Sequence, residues 1–223
     1  MDKKDCLAIN IIIFLNPTQP IQIPCCIDEY NLNSANVEKY LSKELLIGIS
    51  SGDRKSQELL YKQFYSYGMS ICLRYTSSRE ESLEILHDGY LNVFQHFDKY
   101  NSHRPFTLWF RRILINGAIN YYKKNLNYSH NIGLENISEI PDLGKNASSD
   151  LKYMEIIQIV QTLPIRYRTV FNLYAIEGYD HQEISKLLEI SVGTSKSNLH
   201  RARQKLRAII TIRNHEEASI KND

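Results

Sequence analysis

Apolar side chains recur at intervals of three and four along most of the chain beyond residue 36, the period of one face of an α-helix. From Val37 to Tyr75 the positions Tyr40, Leu41, Leu45, Leu59, Leu60, Phe64, Tyr67 and Ile71 keep that spacing, with a break at Ser51-Gly52. The pattern predicts two helices around a short turn. Ser78 with Glu81 three residues later is the signature of a capping box, and Ile85, Leu86, Val93, Phe94 and Phe97 form a stripe behind it. A third helix is expected from about residue 79 to 99, ending before Pro105. Phe106, Trp109, Phe110, Ile113, Leu114 and Ile119 carry the period on toward Lys124, with Gly117 as the place for a bend. No stretch in this half has the alternation of a strand.

Residues 1–36 hold Pro17, Pro20 and Pro24 among scattered Asn and keep no period, so they read as a flexible extension that joins no core. Around residues 127–150 the chain turns polar, rich in Asn, Ser and Gly, with Glu135, Glu139, Asp142 and Asp150, the composition of a mobile linker. Beyond it Met154, Ile157, Val160 and Leu163 form a stripe that stops at Pro164, and Val170, Phe171 and Tyr174 form another up to Glu177-Gly178. The expected architecture is all-α: two small helical domains, 37–126 and 151–212, joined by the linker and followed by a tail at 213–223.

Asp180, with Glu183 three residues on, starts the next helix, whose buried face is Ile184, Leu187 and Leu188. Ser191 can cap a further helix in which Val192, Ser195, Leu199, Ala202, Leu206 and Ile209 step by three or four. Two helices around so short a turn make a helix-turn-helix. The outer face of the second carries Lys196, His200, Arg201, Arg203, Lys205 and Arg207, and no acid lies between Glu189 and Glu216. In such a motif the N-terminal residues of the second helix reach base edges while farther cations meet phosphates. Thr194, Lys196 and Ser197 are therefore the candidate base readers, with Arg203 and Arg207 as phosphate clamps and His200 and Arg201 on the same face.

Charge changes this picture only locally, because 27 Lys and Arg against 25 Asp and Glu leave a net +2. A second basic run lies between Lys99 and Leu134, where Arg104, Arg111, Arg112, Lys123 and Lys124 alternate with aromatic rings and no acid intervenes. Rings that stack on bases beside cations that follow a backbone suit single-stranded DNA. Trp109 and Phe106 are expected to fill the core, leaving Arg111, Arg112, Asn116, Asn120, Tyr121, Lys123 and Lys124 as exposed candidates. Cys6, Cys25, Cys26 and Cys72 form no metal-ligand array and no sensible pair, which predicts a reduced, cytoplasmic chain without metal or cofactor. The apolar stretch Leu7–Leu15 is about half the roughly 20 residues that span a bilayer, and no signal-peptide cleavage site follows it. Phosphate loops, nucleophile elbows and H-E-x-x-H are missing, so neither catalysis nor a small-molecule substrate is expected.

The run from Leu163 to Arg207, with L-P, R-T-V-F, E-G, E-I-S, L-E-I-S, G-T-S-K-S and R-A-R in order, closely resembles region 4 of extracytoplasmic-function (ECF) RNA polymerase sigma factors. Glu189 stands where that family usually has Gly, Ser185 where it has Ala, and Ser195 where it has Val. F-T-L-W-F-R-R-I-L-I-N-G-A-I-N resembles the family's region 2.3 to 2.4, which implies that Asn116 and Asn120 lie at the minus-10 contacts, Asn120 meeting a flipped base. Glu84-Ile85-Leu86-His87-Asp88 resembles the region 2.2 stretch that docks on polymerase, which implies that role for Glu84, His87 and Asp88. The resemblance implies RNA polymerase core, promoter DNA and an anti-sigma factor as partners. Two other readings share parts of the pattern: a conventional helix-turn-helix regulator that binds duplex DNA as a dimer, and a protein that sequesters a transcription component.

Overall fold

The computed structural model describes residues 40–132 and 157–220, with side chains over 40–126 and 157–211. The expected extension at 1–36 and residues 133–150 of the expected linker lie outside the described residues, while 127–132 are helical. Every regular element among the described residues is helical, so the chain is all-α. Contacts divide it into two compact units that part between Tyr128 and Ser129.

In the N-terminal unit the helix starts are set by side-chain caps. Ser42 accepts a hydrogen bond from the Leu45 backbone N–H at 3.2 Å and opens α1, Lys43–Ser50. Gly52 takes φ +77°, a left-handed turn that a side chain would strain, and lets Asp53 begin α2, Arg54–Cys72. The Asp53 carboxylate accepts from the Ser56 backbone N–H at 2.9 Å and from its hydroxyl at 2.7 Å. The Ser78/Glu81 capping box is formed in both directions at the start of α3, Arg79–Gln95. That helix is shorter than expected: Phe97–Lys99 winds as a 3-10 turn, bringing Phe97 and Tyr100 against Trp109. Pro105 precedes α4, Phe106–Ile132, which runs unbroken through Gly117.

Leu60, Phe64 and Ile71 of α2, Leu86 and Val93 of α3, and Phe106, Phe110 and Leu114 of α4 make the core, none of them exposed. The three helices meet closely at Gly68, where a Cβ would sit 2.5 Å from Leu86 Cδ1 and 3.1 Å from Phe110 Cε1. Leu59 and Tyr40, expected among the core positions, are exposed. Leu59 neighbours Leu60 in sequence, and adjacent helical residues point about 100° apart, so only one of them can face inward.

In the C-terminal unit a helical segment at 157–161 ends before Pro164, which caps α5, Ile165–Phe171. Arg168 is 1% exposed, and its Nη1 donates to the Gln161 carbonyl oxygen at 2.9 Å, filling an acceptor that the preceding helix end leaves open. α5 widens into a π-helical turn, Asn172–Ile176. There follow α6, His181–Leu188, and α7, Val192–Ile220. Val170, Phe171, Leu173, Ile184, Leu188, Leu199, Ala202 and Leu206 close the core. The expected stripe of α7 begins one turn late, because Val192 is exposed and Ser195 is its first buried member.

Candidate nucleic-acid interface

The helix-turn-helix forms as its caps foretell. Asp180 accepts from the Gln182 and Glu183 backbone N–H groups at 2.7 and 2.8 Å, and Glu183 reaches back to the Asp180 N–H at 2.8 Å. α6 closes on Glu189 in the left-handed conformation, φ 57° and ψ 41°, with the Ile190 N–H returning to the Ser185 carbonyl at 3.1 Å. Ser191 then accepts from the Thr194 N–H at 2.9 Å and opens α7.

Thr194, Lys196, Ser197 and His200 are all exposed on the first three turns of α7. The Thr194 hydroxyl meets the Ser191 hydroxyl at 2.9 Å, and Ser197 donates to the Thr194 carbonyl at 3.0 Å, so both hydroxyls are oriented before any partner arrives. Arg201 is exposed and donates from Nη1 to the Tyr167 hydroxyl of α5 at 3.2 Å. Arg203 and Arg207, expected fully on the outer face, are half-buried. Burial holds the Arg203 guanidinium below its ordinary value, Tyr174 opposing that shift and Arg207 adding to it. Behind this face, His181 of α6 shares a hydrogen bond with the buried Ser195 hydroxyl, Nδ1 to Oγ 2.9 Å, and stacks on Tyr174 with ring centres 4.6 Å apart. Sequence spacing gave no role to His181. A polar Ser195 in an otherwise apolar stripe was the sign that a partner had to exist.

In the N-terminal unit a groove of about 290 Å³ runs between α3 and α4, lined by Glu84, Asp88 and Asn92 on one side and Asn116, Asn120, Tyr121 and Lys124 on the other. Arg112, Asn116, Asn120 and Lys124 are exposed and four residues apart, a single row along α4. Lys124 Nζ lies 3.8 Å from Glu84 Oε1, across the groove. The structure therefore sets residues expected to meet polymerase beside residues expected to meet DNA. His87 stands apart from Glu84 and Asp88: its Nε2 is 3.2 Å from the Tyr61 hydroxyl on α2. Burial raises the Tyr61 phenol, with a smaller contribution from Tyr65.

Arg111 does not belong to the exposed set. It is 8% exposed, because it follows Thr107 and precedes Ile115 by four residues, both of them buried on the inner face of α4. Tyr121 and Lys123 are half-buried rather than exposed. Trp109 is half-buried against Phe97, Tyr100 and Phe106. Among the described residues no group of three or more His, Cys, Asp or Glu could hold a metal ion, and no helix is long and apolar enough to cross a membrane.

A helical unit carrying a polar groove edged by a row of amides and cations on α4, on one chain with a helix-turn-helix unit, defines a DNA-directed transcription protein. Residues 60–127 match the family described as Sigma-70 region 2, and residues 153–206 match Sigma-70, region 4. The chain is 23% identical over 179 residues to an ECF RNA polymerase sigma-E factor of Haemophilus influenzae, covering 75% of this chain and 94% of that one. It is 28% identical over 148 residues to the ECF sigma factor SigW of Bacillus subtilis, covering 61% and 79%. A solved structure of the sigma factor RpoE with the anti-sigma factor NepR, from Bartonella quintana, aligns at 15% identity and TM-score 0.46, covering 70% and 96%. The chain belongs to the ECF sigma factors. It directs promoter-specific transcription initiation by RNA polymerase, and sigma factors are initiation factors rather than enzymes.

Proposed function

We propose that the C-terminal unit, about 151–212, reads the minus-35 element and the N-terminal unit, about 37–126, binds polymerase core, reads the minus-10 element and helps to melt it. The observation that carries this reading is the doubly capped helix-turn-helix with Thr194, Lys196, Ser197 and His200 exposed on the leading turns of α7. Those residues meet base edges, while Arg201, Arg203 and Arg207 meet phosphates. In the other unit the row Arg112, Asn116, Asn120 and Lys124, with Tyr121 and Lys123 at its margin, takes the minus-10 strand. Unpairing a base costs a few kcal/mol, and stacking returns about 1–3 kcal/mol per base.

Glu84, His87 and Asp88 dock on polymerase core, offering two carboxylates and an imidazole to a basic surface. The protein acts in the cytoplasm, catalyses nothing itself, needs no cofactor, and is held in check by an anti-sigma factor. The two units raise each other's effective concentration on one promoter, so neither needs high affinity alone.

Purified protein mixed with polymerase core and a promoter library tests this. The transcripts that depend on it are expected to share two spaced upstream elements, with Lys196→Ala relaxing the distal element and Asn120→Ala the proximal one. Dimeric binding to duplex DNA without polymerase, and no stimulation of transcription, is the opposite result and leaves a conventional regulator.

A further inference from the structure

The contact between α6 and α7 at the reading end of the helix-turn-helix is polar where its surroundings are apolar. Ser195 is fully buried in the first turn of α7, between Thr194 and Lys196, and continues a stripe otherwise made of Leu199, Ala202 and Leu206. A buried hydroxyl left unpaired costs about 1–3 kcal/mol, so its partner decides whether the stripe can seat. That partner is His181, the first residue of α6, whose Nδ1 lies 2.9 Å from Ser195 Oγ. One face of the imidazole is covered by Tyr174 from the π-helical turn, the two planes 25° apart. Three consecutive elements thus fix one ring. Nε2 makes no hydrogen bond among the described residues, and the ring is half-buried, so one edge of it remains open to solvent.

We propose that His181 is the positioning residue for the reading end of the recognition helix, and that promoter binding draws a proton onto its ring. The inference rests on the reading that α7 binds the minus-35 element. The charged groups that face the ring are Asp180, next to it in the chain, and Lys196 and Arg203 from α7, while Tyr174 stacks on it from the turn before α6.

In the free protein, burial first, then Lys196, then Arg203 hold the imidazole below its ordinary value, and Asp180 opposes them. The ring is therefore neutral at pH 7. DNA phosphates beside Lys196 and Arg203 cancel the two cationic fields that disfavour the imidazolium, and add a negative field that favours it. The bound ring then holds its proton more tightly than the free one, so binding takes up a proton and tightens as pH falls. Each unit of difference between free and bound states is worth up to about tenfold in affinity. Protonation also makes Nδ1 an obligate donor, which leaves the Ser195 oxygen as acceptor and fixes the sense of the bond that seats α7.

The test uses the full chain assembled with polymerase core, and fluorescence anisotropy on a labelled promoter duplex from about pH 8 to 5.5, spanning the ordinary histidine value near 6.5, at constant ionic strength. Wild type is expected to tighten by about three- to tenfold across that range. His181→Gln, which can still bond Ser195 but does not titrate there, is expected to match wild type within about twofold at pH 8 and to lose most of the tightening. His103→Gln, a solvent-exposed histidine away from α7 with no part in the reading face, serves as the control and is expected to keep the larger part of it. Ser195→Val keeps the ring but removes its partner, and is expected to lower discrimination between the matched and a scrambled minus-35 element at every pH.

A pH dependence in His181→Gln equal to wild type, or one that vanishes in His103→Gln instead, overturns the proton linkage. Undiminished discrimination in Ser195→Val overturns the positioning role. If wild type itself does not distinguish the matched minus-35 element at any pH, the reading of α7 falls and the proposal with it, which is a different result from the first two.

Discussion

Replacing Glu189 with glycine should stabilise the C-terminal unit. Glu189 is the only non-glycine among the described residues with positive φ, at 57°. It holds that conformation because the return bond from Ile190 N–H to the Ser185 carbonyl requires it. An L-residue in the left-handed region is disfavoured by about 1–2 kcal/mol. Glycine removes that strain but gains freedom in the unfolded chain, which offsets about 0.4–1 kcal/mol. The net expected for Glu189→Gly is a gain of about 0.5–1 kcal/mol, or roughly 2–8 °C in melting temperature for a unit of this size. Glu189→Ala keeps both the Cβ and the strain, and should stay within about 0.5 kcal/mol of wild type. Urea denaturation of the full chain, with amide exchange of Ile184 and Leu199 to follow this unit by itself, measures the effect. A glycine variant less stable than wild type, or alanine and glycine shifting alike, refutes the argument and assigns the turn to the Glu189 side chain instead.

Two further outcomes follow from burial in the N-terminal unit. Gly68→Ala drives a methyl to 2.5 Å from Leu86 Cδ1, and the overpacking should exceed the gain in helix propensity, lowering stability by about 1–2 kcal/mol. An unchanged urea midpoint would show that Leu86 can move aside. The Cys72 thiol is pushed up to about 12 by burial, with Arg74 and a backbone hydrogen bond opposing the shift. It stays protonated at every pH at which the fold is studied, so the Cys72 peptide should resist iodoacetamide at pH 8 in the native protein and react readily in urea, as read by mass spectrometry. Ready native labelling would show that this helix face opens.

The elements most legible in the sequence were those whose ends carry their own chemistry. Ser78 with Glu81 and Asp180 with Glu183 mark helix starts because the side chain that signals the cap is the one that makes it. Burial was legible where one residue of each turn is apolar, as at Leu60, Phe64 and Ile71. It failed where two neighbours are apolar or where a long cation lies on the inner face. Leu59 and Leu60 are alike in composition, and only the direction of the helix axis separates them. Arg111 reads as a surface cation from its charge, which is a guide to exposure only on average, whereas Thr107 and Ile115 one turn away reveal its side of the helix. The candidate sites were legible as sets of residues but not as places. Glu84 and Lys124 are 40 positions apart in the sequence, and no local pattern could show that they face each other across one groove.

The chain's single tryptophan lies wholly in the N-terminal unit, edge-on to Phe97 at 6.2 Å and beside Tyr100 at 5.2 Å. That gives the protein a built-in optical asymmetry. Excitation at the red edge of aromatic absorption selects Trp109, so its emission follows the packing of the turn between α3 and α4, while the helix-turn-helix unit emits nothing at that wavelength. Any change in its spectrum when DNA, which carries no tryptophan, is added comes from the half that carries the groove, without a label being attached.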